Sequence, residues 1–168
     1  MLFYPANHPA MNQSINQLIE ESIQLELNVG ELYLLFYRLF PEDGHFWWRL
    51  AIEEENHAAL LKTVRQMEQL DVDIPPDLFP ESLQDLKGAN RMIRQAILDF
   101  EKNPDRTAAF QTAYRLETSA GEYHYDAFMK HAPDSRVTSI FKHLNGDDVD
   151  HANRIREYME NRHIPMEG

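Results

Sequence analysis

The sequence predicts an all-α fold: a four-helix bundle of two antiparallel helical hairpins, joined by a long crossover that contains an extra helix. Three observations predict it. Apolar residues recur every three to four positions over long runs, the spacing of one helix face. Two tight turns, Pro41-Glu42-Asp43-Gly44 and Pro133-Asp134-Ser135, interrupt those runs, and turns so short fold the flanking helices back on each other. No segment alternates apolar and polar residues as a half-buried strand would.

Residues 1–11, with Pro5 and Pro9, read as an irregular arm, after which Asn12 or Ser14 caps the first helix. That helix runs to about Phe40 and is stopped by Pro41. Its core stripe is Ile15, Ile19, Ser22, Glu26, Val29, Tyr33, Phe36 and Phe40, while Glu31 falls on a solvated face with Glu20, Gln24, Asn28 and Arg38. Asp43 is placed to cap the second helix, from about His45 to Leu70, whose stripe is Trp47, Leu50, Glu54, His57, Leu61 and Val64. Residues 71–105 form the crossover. Pro75, Pro76 and Pro80 forbid a continuous helix there. The extra helix spans Glu81 to Lys102 on Leu83, Leu86, Met92, Ile93, Ile97 and Phe100. The third helix runs from about Arg106 to Ala132 on Phe110, Ala113, Glu117, Ala120, His124 and Phe128, with Glu122 facing outward. The fourth runs from about Ser135 to Asn161 on Val137, Phe141, Leu144, Asp148, His151, Ile155 and Tyr158, with a soft spot for a bend at Asn145-Gly146. Neither half alone has four helices, so residues 1–168 read as one domain.

Composition narrows the chemistry. The 168 residues are 43% hydrophobic and 26% charged, an ordinary globular mixture with enough chain for a sizeable core. The chain has no cysteine, which excludes disulfides, iron–sulfur clusters, thiolate zinc sites and a thiol nucleophile. A formal charge of -12 argues against nucleic acid and against an anionic membrane surface, and suits the gathering of cations. No apolar run approaches the roughly 18 residues of a spanning helix, and no leader pattern opens the chain. A soluble, cytoplasmic protein is expected.

The chemistry lies in acids and imidazoles on apolar stripes. Glu54 and His57 stand three apart on one helix face, and alone such a pair is common on solvated helices. The pair recurs as Asp148 and His151, 94 residues on. The first helix of each half adds one acid. Leu25-Glu26 followed four residues on by Gly30-Glu31 matches Leu116-Glu117 followed by Gly121-Glu122, at an offset of 91. Two packed hairpins would therefore turn six donors inward: Glu26, Glu54, His57, Glu117, Asp148 and His151. Four carboxylates buried together need a compensating cation. Two divalent metal ions would supply it. The mixed oxygen and nitrogen donors suit iron, with manganese or zinc as substitutes.

These residues resemble the ferritin-like superfamily and, within it, the rubrerythrin-like di-iron carboxylate family. The resemblance covers about Ser14 to Tyr158. It implies two iron ions that react with peroxide or dioxygen, as a peroxidase or ferroxidase. Glu26 and Glu117 would be the first-helix ligands, Glu54 and Glu117 or their opposites would bridge, and His57 and His151 would each hold one metal. The departures are specific. Asp148 is one methylene shorter than the family's glutamate. The family's four-cysteine rubredoxin-like module is absent, so electrons would come from an external donor. A Gly-Glu step, usual for the first-helix ligand, would select Glu31 and Glu122 instead, and that choice stays open. His124 reads as a core histidine or an added ligand. Asp147 would replace Asp148 if Gly146 shifted the helix register. A non-catalytic metal-binding bundle, acting as an interaction or iron-sequestering module, is the alternative. Apolar positions on the arm and the extra helix leave a homodimer open.

Overall fold

Proline lacks a backbone N–H, so it is at home in the first turn of a helix, where that donor has no partner. Helix α1 accordingly opens on Pro9 and runs to Leu39, taking in residues assigned above to the arm. The structure, a computed structural model, describes residues 9–79, 82–119 and 134–166, with the backbone alone for 9–14. Among these the long elements are all helical and no strand occurs: α1 Pro9–Leu39, α2 Gly44–Gln69, α3 Leu83–Lys102, α4 Arg106–Ser119 and α5 Arg136–Asn161. One-turn 3-10 helices lie at Pro41–Asp43 and Pro76–Leu78. The arm before Pro9, the start of the extra helix at Glu81 and the third helix beyond Ser119 fall outside the described residues.

Local chemistry sets the starts. Ser82 accepts a hydrogen bond from the Asp85 amide and caps α3. Ser135 and Thr138 form a reciprocal capping box at the head of α5. Helix α5 runs through Asn145-Gly146 as one element. Helix α1 packs on α2 and α3, α4 on α5, and α2 on α5. Polar pairs fix the direction of these contacts. Glu20 meets Arg65 while Glu26 meets His57, so α1 and α2 run antiparallel. Likewise His57 meets Asp147 while Glu53 meets Arg154, so α2 and α5 are antiparallel.

Helix α3 corrects two expectations. Asn28 is buried, where the sequence put it on a solvated face, because α3 covers that side of α1. Its amide donates to Asn90 Oδ1 at 2.8 Å, and Asn90 in turn donates to the Glu21 carboxylate at 2.8 Å. Met92, assigned to the apolar stripe, is 66% exposed.

Apolar packing forms two bodies. One gathers Val29 to Phe40, Trp47, Leu50, Ile93 to Phe100, Phe110 and Ile155. The other gathers Ile15 to Ile23, Ala58 to Val64, Leu78, Leu86, Phe141 and Leu144. Between them lies a polar layer at Glu26, Glu54, His57, Glu117 and His151.

Asp43 was expected to cap α2, and it makes no such bond. Three stronger donors claim it. Arg106 binds it through two nitrogens, at 2.6 and 2.8 Å, and the Tyr158 hydroxyl donates to it at 2.8 Å. The carboxylate is buried, and it ties the α1–α2 turn to the start of α4 and the end of α5. Replacing Arg106 by Met leaves Asp43 with only Tyr158, and is expected to cost about 3 kcal/mol in urea unfolding.

Candidate metal centre

Helical periodicity carries Glu54 and His57 of α2 and His151 of α5 into the polar layer. All three are buried. Glu117, near the end of described α4, is buried beside them, and Glu26 of α1 is half-buried at the edge. Gly30 keeps α1 close to this point: a Cβ there would lie 3.4 Å from Glu54 Cβ.

The Glu54 carboxylate divides itself between two imidazoles. Its Oε2 faces His57 Nδ1 at 3.3 Å, and its Oε1 faces His151 Nδ1 at 2.9 Å. Glu26 lies 3.6 Å from the same His57 nitrogen, and Glu117 lies 3.5 Å from the same His151 nitrogen. Two triplets result, Glu26–Glu54–His57 and Glu54–Glu117–His151, each with donor atoms within 4.8 Å of one another. They share Glu54. The rings of His57 and His151 lie 5.3 Å apart and nearly parallel.

Glu54 Oε1, His57 Nδ1 and His151 Nδ1 are buried, converge on one spot, and have no hydrogen bond of acceptable geometry. Buried polar atoms rarely stay unpaired. A cation between them would satisfy all three, so these groups can hold a metal ion.

Electrostatics agrees. Burial alone would raise the Glu54 carboxyl, but His151 and His57 hold it down at about 2. Burial would lower His57, yet Glu26 and Glu54 push it up to about 12. His151, likewise opposed by burial, is pushed up to about 10 by Glu117 and Glu54. Burial lifts Glu26 well above the usual carboxylate range, with the Glu54 charge adding to it. It also raises Glu117, again with Glu54. Protons thus take the place of cations in the metal-free cluster.

The outer ring nitrogens reveal what the sequence reading missed. His57 Nε2 meets Asp147 Oδ2 at 3.2 Å, and His151 Nε2 meets Glu53 Oε2 at 3.2 Å. Each acid immediately precedes the acid of a repeated pair, so the repeat extends one residue, as Glu53-Glu54-x-x-His57 and Asp147-Asp148-x-x-His151. The signal was present, because Glu53 and Asp147 are themselves 94 apart. Each outer acid serves the imidazole of the other half. Asp147 faces the outer nitrogen of His57 and, like Asp148, lies outside both triplets. Such carboxylates fix ring orientation and tautomer. Asp147→Asn or Glu53→Gln is expected to weaken metal binding about 10- to 100-fold, read by competition with a colorimetric chelator.

Asp148 is half-buried and belongs to neither triplet. It lines a cavity of about 90 Å³ with Glu26, Glu54 and Glu117. Burial and the charges of Glu117 and Glu54 raise its carboxyl to about 7. Glu31 is exposed, away from the cluster. Glu122 and His124 lie outside the described residues. Arg154 binds Glu53 and Asp150. Tyr33 donates to Glu117 Oε1 at 2.5 Å, whereas Tyr158 reaches Asp43 and not the cluster. No helix among the described residues is long and apolar enough to cross a membrane.

Comparison of the chain with protein-family models, with curated proteins and with solved structures returns no match.

Proposed function

We propose that the chain is a ferritin-like four-helix bundle that holds two iron ions and acts as an oxidoreductase on peroxide or dioxygen. The observation that carries the reading is Glu54, which turns one oxygen to each of two imidazoles whose inner nitrogens have no hydrogen-bond partner. Glu26 and His57 would hold one ion, Glu117 and His151 the other, with Glu54 between them. Bound iron would supply the electrons that reduce the oxidant. The chain's own groups do the rest. Asp147 and Glu53 face the outer nitrogen of each ring, so that the inner nitrogen would bind once its proton has left. Tyr33 steadies Glu117 through its hydroxyl. A cavity of about 90 Å³ beside Glu54 and Asp148 suits a small oxidant. With no cysteine in the chain, re-reduction falls to an external donor.

Anaerobic loading with ferrous iron, followed by metal analysis and admission of peroxide, tests this. Two irons per chain and a peroxide-dependent ferric absorption are expected. Binding of less than about one iron per chain would remove the proposal.

Asp148 favours a second reading. Its place outside both triplets suits a metal-holding bundle without turnover, which would bind iron yet leave it ferrous on exposure to air. Asp148→Glu restores the missing methylene. It is expected to bring the two positions closer in affinity if the asymmetry begins there.

A further inference from the structure

The repeat that builds the two triplets breaks at the residues that hold its outer acids. Glu53 faces the outer nitrogen of His151, and Asp147 that of His57, each at 3.2 Å. Four residues before each acid, the offset of 94 pairs Arg49 with His143. Arg49 Nη2 lies 3.8 Å from Glu53 Oε1, and His143 Nε2 lies 3.3 Å from Asp147 Oδ2. The same offset pairs Arg154 with Leu60. Arg154 grips both oxygens of Glu53 from α5, its Nη1 donating to Oε1 at 3.3 Å and its Nη2 to Oε2. Leu60 packs against the second apolar body and brings no charge.

The two outer acids therefore differ in their company. Glu53 Oε2, the oxygen that faces His151, also accepts from a guanidinium. Asp147 Oδ2, the oxygen that faces His57, shares itself with a second imidazole, and among the described residues Asp147 meets no Lys or Arg.

Ion pairs on exposed helix faces are common, and most have little effect. The place of this one gives it a consequence. A carboxylate behind one ring nitrogen makes the other a better metal donor, because it stabilises the positive charge that the ring takes up on binding. A cation on that carboxylate cancels part of the help. A guanidinium is charged at every working pH, whereas free imidazole is mostly neutral at about pH 8.

We propose that the two metal positions are unequal: the ion at Glu26–Glu54–His57 is held firmly, and the ion at Glu54–Glu117–His151 is the exchangeable one, kept loose by Arg154 and Arg49 acting through Glu53. This order rests on the two-ion centre proposed above and adds a sequence to it, in which the His57 position fills first and the His151 position empties first. Arg154 and Arg49 are positioning residues and belong to neither triplet. The shorter side chain of Asp148 is a separate source of inequality, and it stays constant in every variant below.

Full-length protein is titrated with cobalt(II) at about pH 8 in two backgrounds. His151→Ala leaves the His57 position, and His57→Ala leaves the His151 position. The His57 position is expected to bind at least about threefold tighter. His143→Arg gives Asp147 the residue of the first half, on an exposed face. It is expected to weaken the His57 position at least about threefold and to leave the His151 position unchanged. Arg154→Leu gives Glu53 the residue of the repeat's other half. It is expected to tighten the His151 position at least about threefold and to leave the His57 position unchanged. A merely structural role predicts the reverse signs, since an added ion pair would steady the site and a lost clamp would loosen it. Equal affinities in the two backgrounds, a His57 position unmoved by His143→Arg, or a His151 position loosened by Arg154→Leu overturns the order while the two-ion centre stands. No cobalt bound by the unmodified protein overturns both. If the order holds and iron-loaded protein leaves peroxide untouched, the order stands and the proposed oxidant falls.

Discussion

Glu54→Ala is expected to abolish metal binding at both positions together, whereas His57→Ala or His151→Ala weakens mainly one. The difference follows from sharing. Glu54 is the only member common to the two triplets, and each of its oxygens faces a different imidazole. Losing it would remove a donor from both candidate positions. Titration with ferrous or zinc ion should show a loss of at least about 100-fold in affinity for both equivalents, more than an outer-acid change produces. Two independent sites, one unaffected by Glu54→Ala, would rule out the shared carboxylate. Fold damage is separable, because the alanine removes buried charge and the metal-free helix content can be compared directly.

Metal loading near pH 7 is expected to expel at least about two protons per chain, measured with an indicator dye in weak buffer. His57, held up to about 12, and His151, held up to about 10, are both protonated there in the metal-free protein. Coordination requires both to be neutral. Affinity should therefore rise with pH, and His57→Gln should release about one proton fewer. The sign for stability is opposite. Imidazoles with raised folded-state values add stability that is complete below about pH 6.5 and is lost as pH climbs through about 10 and about 12. Asp148, raised to about 7, acts in the same direction at lower pH, because the folded chain holds its proton longer than the unfolded one. The melting temperature of metal-free protein is thus expected to fall between about pH 5 and pH 9. The metal-loaded protein, with these protons already gone, is expected to lack that fall.

The stripes of α2 and α5 were legible because helical period and burial coincide: Trp47, Leu50, Glu54, His57, Leu61 and Val64 are all buried. An internal echo made His151 legible. What escaped was set by neighbours that no local pattern encodes. Asn28 looks solvated until α3 docks on it. Asp43 looks like a cap until Arg106 and Tyr158, 63 and 115 residues away, arrive at its carboxylate. Glu53 and Asp147 look like ordinary surface charge beside a ligand. Only their common offset, or the ring nitrogens they face, marks them. The start of α1 was misjudged because Pro9 reads equally as a breaker and as a first-turn residue.

The polar layer that parts the two apolar bodies also bears on cooperativity. Each body is held by its own contacts, and without a cation only the Glu–His contacts of the cluster join them across the polar layer. Amide exchange of the metal-free chain is then expected to resolve two protected blocks, one around Phe36, Trp47 and Ile155 and one around Ile19, Leu61 and Phe141. A metal joined to α1, α2, α4 and α5 would tie each block's opening to the other's, so that two local openings become a single global one.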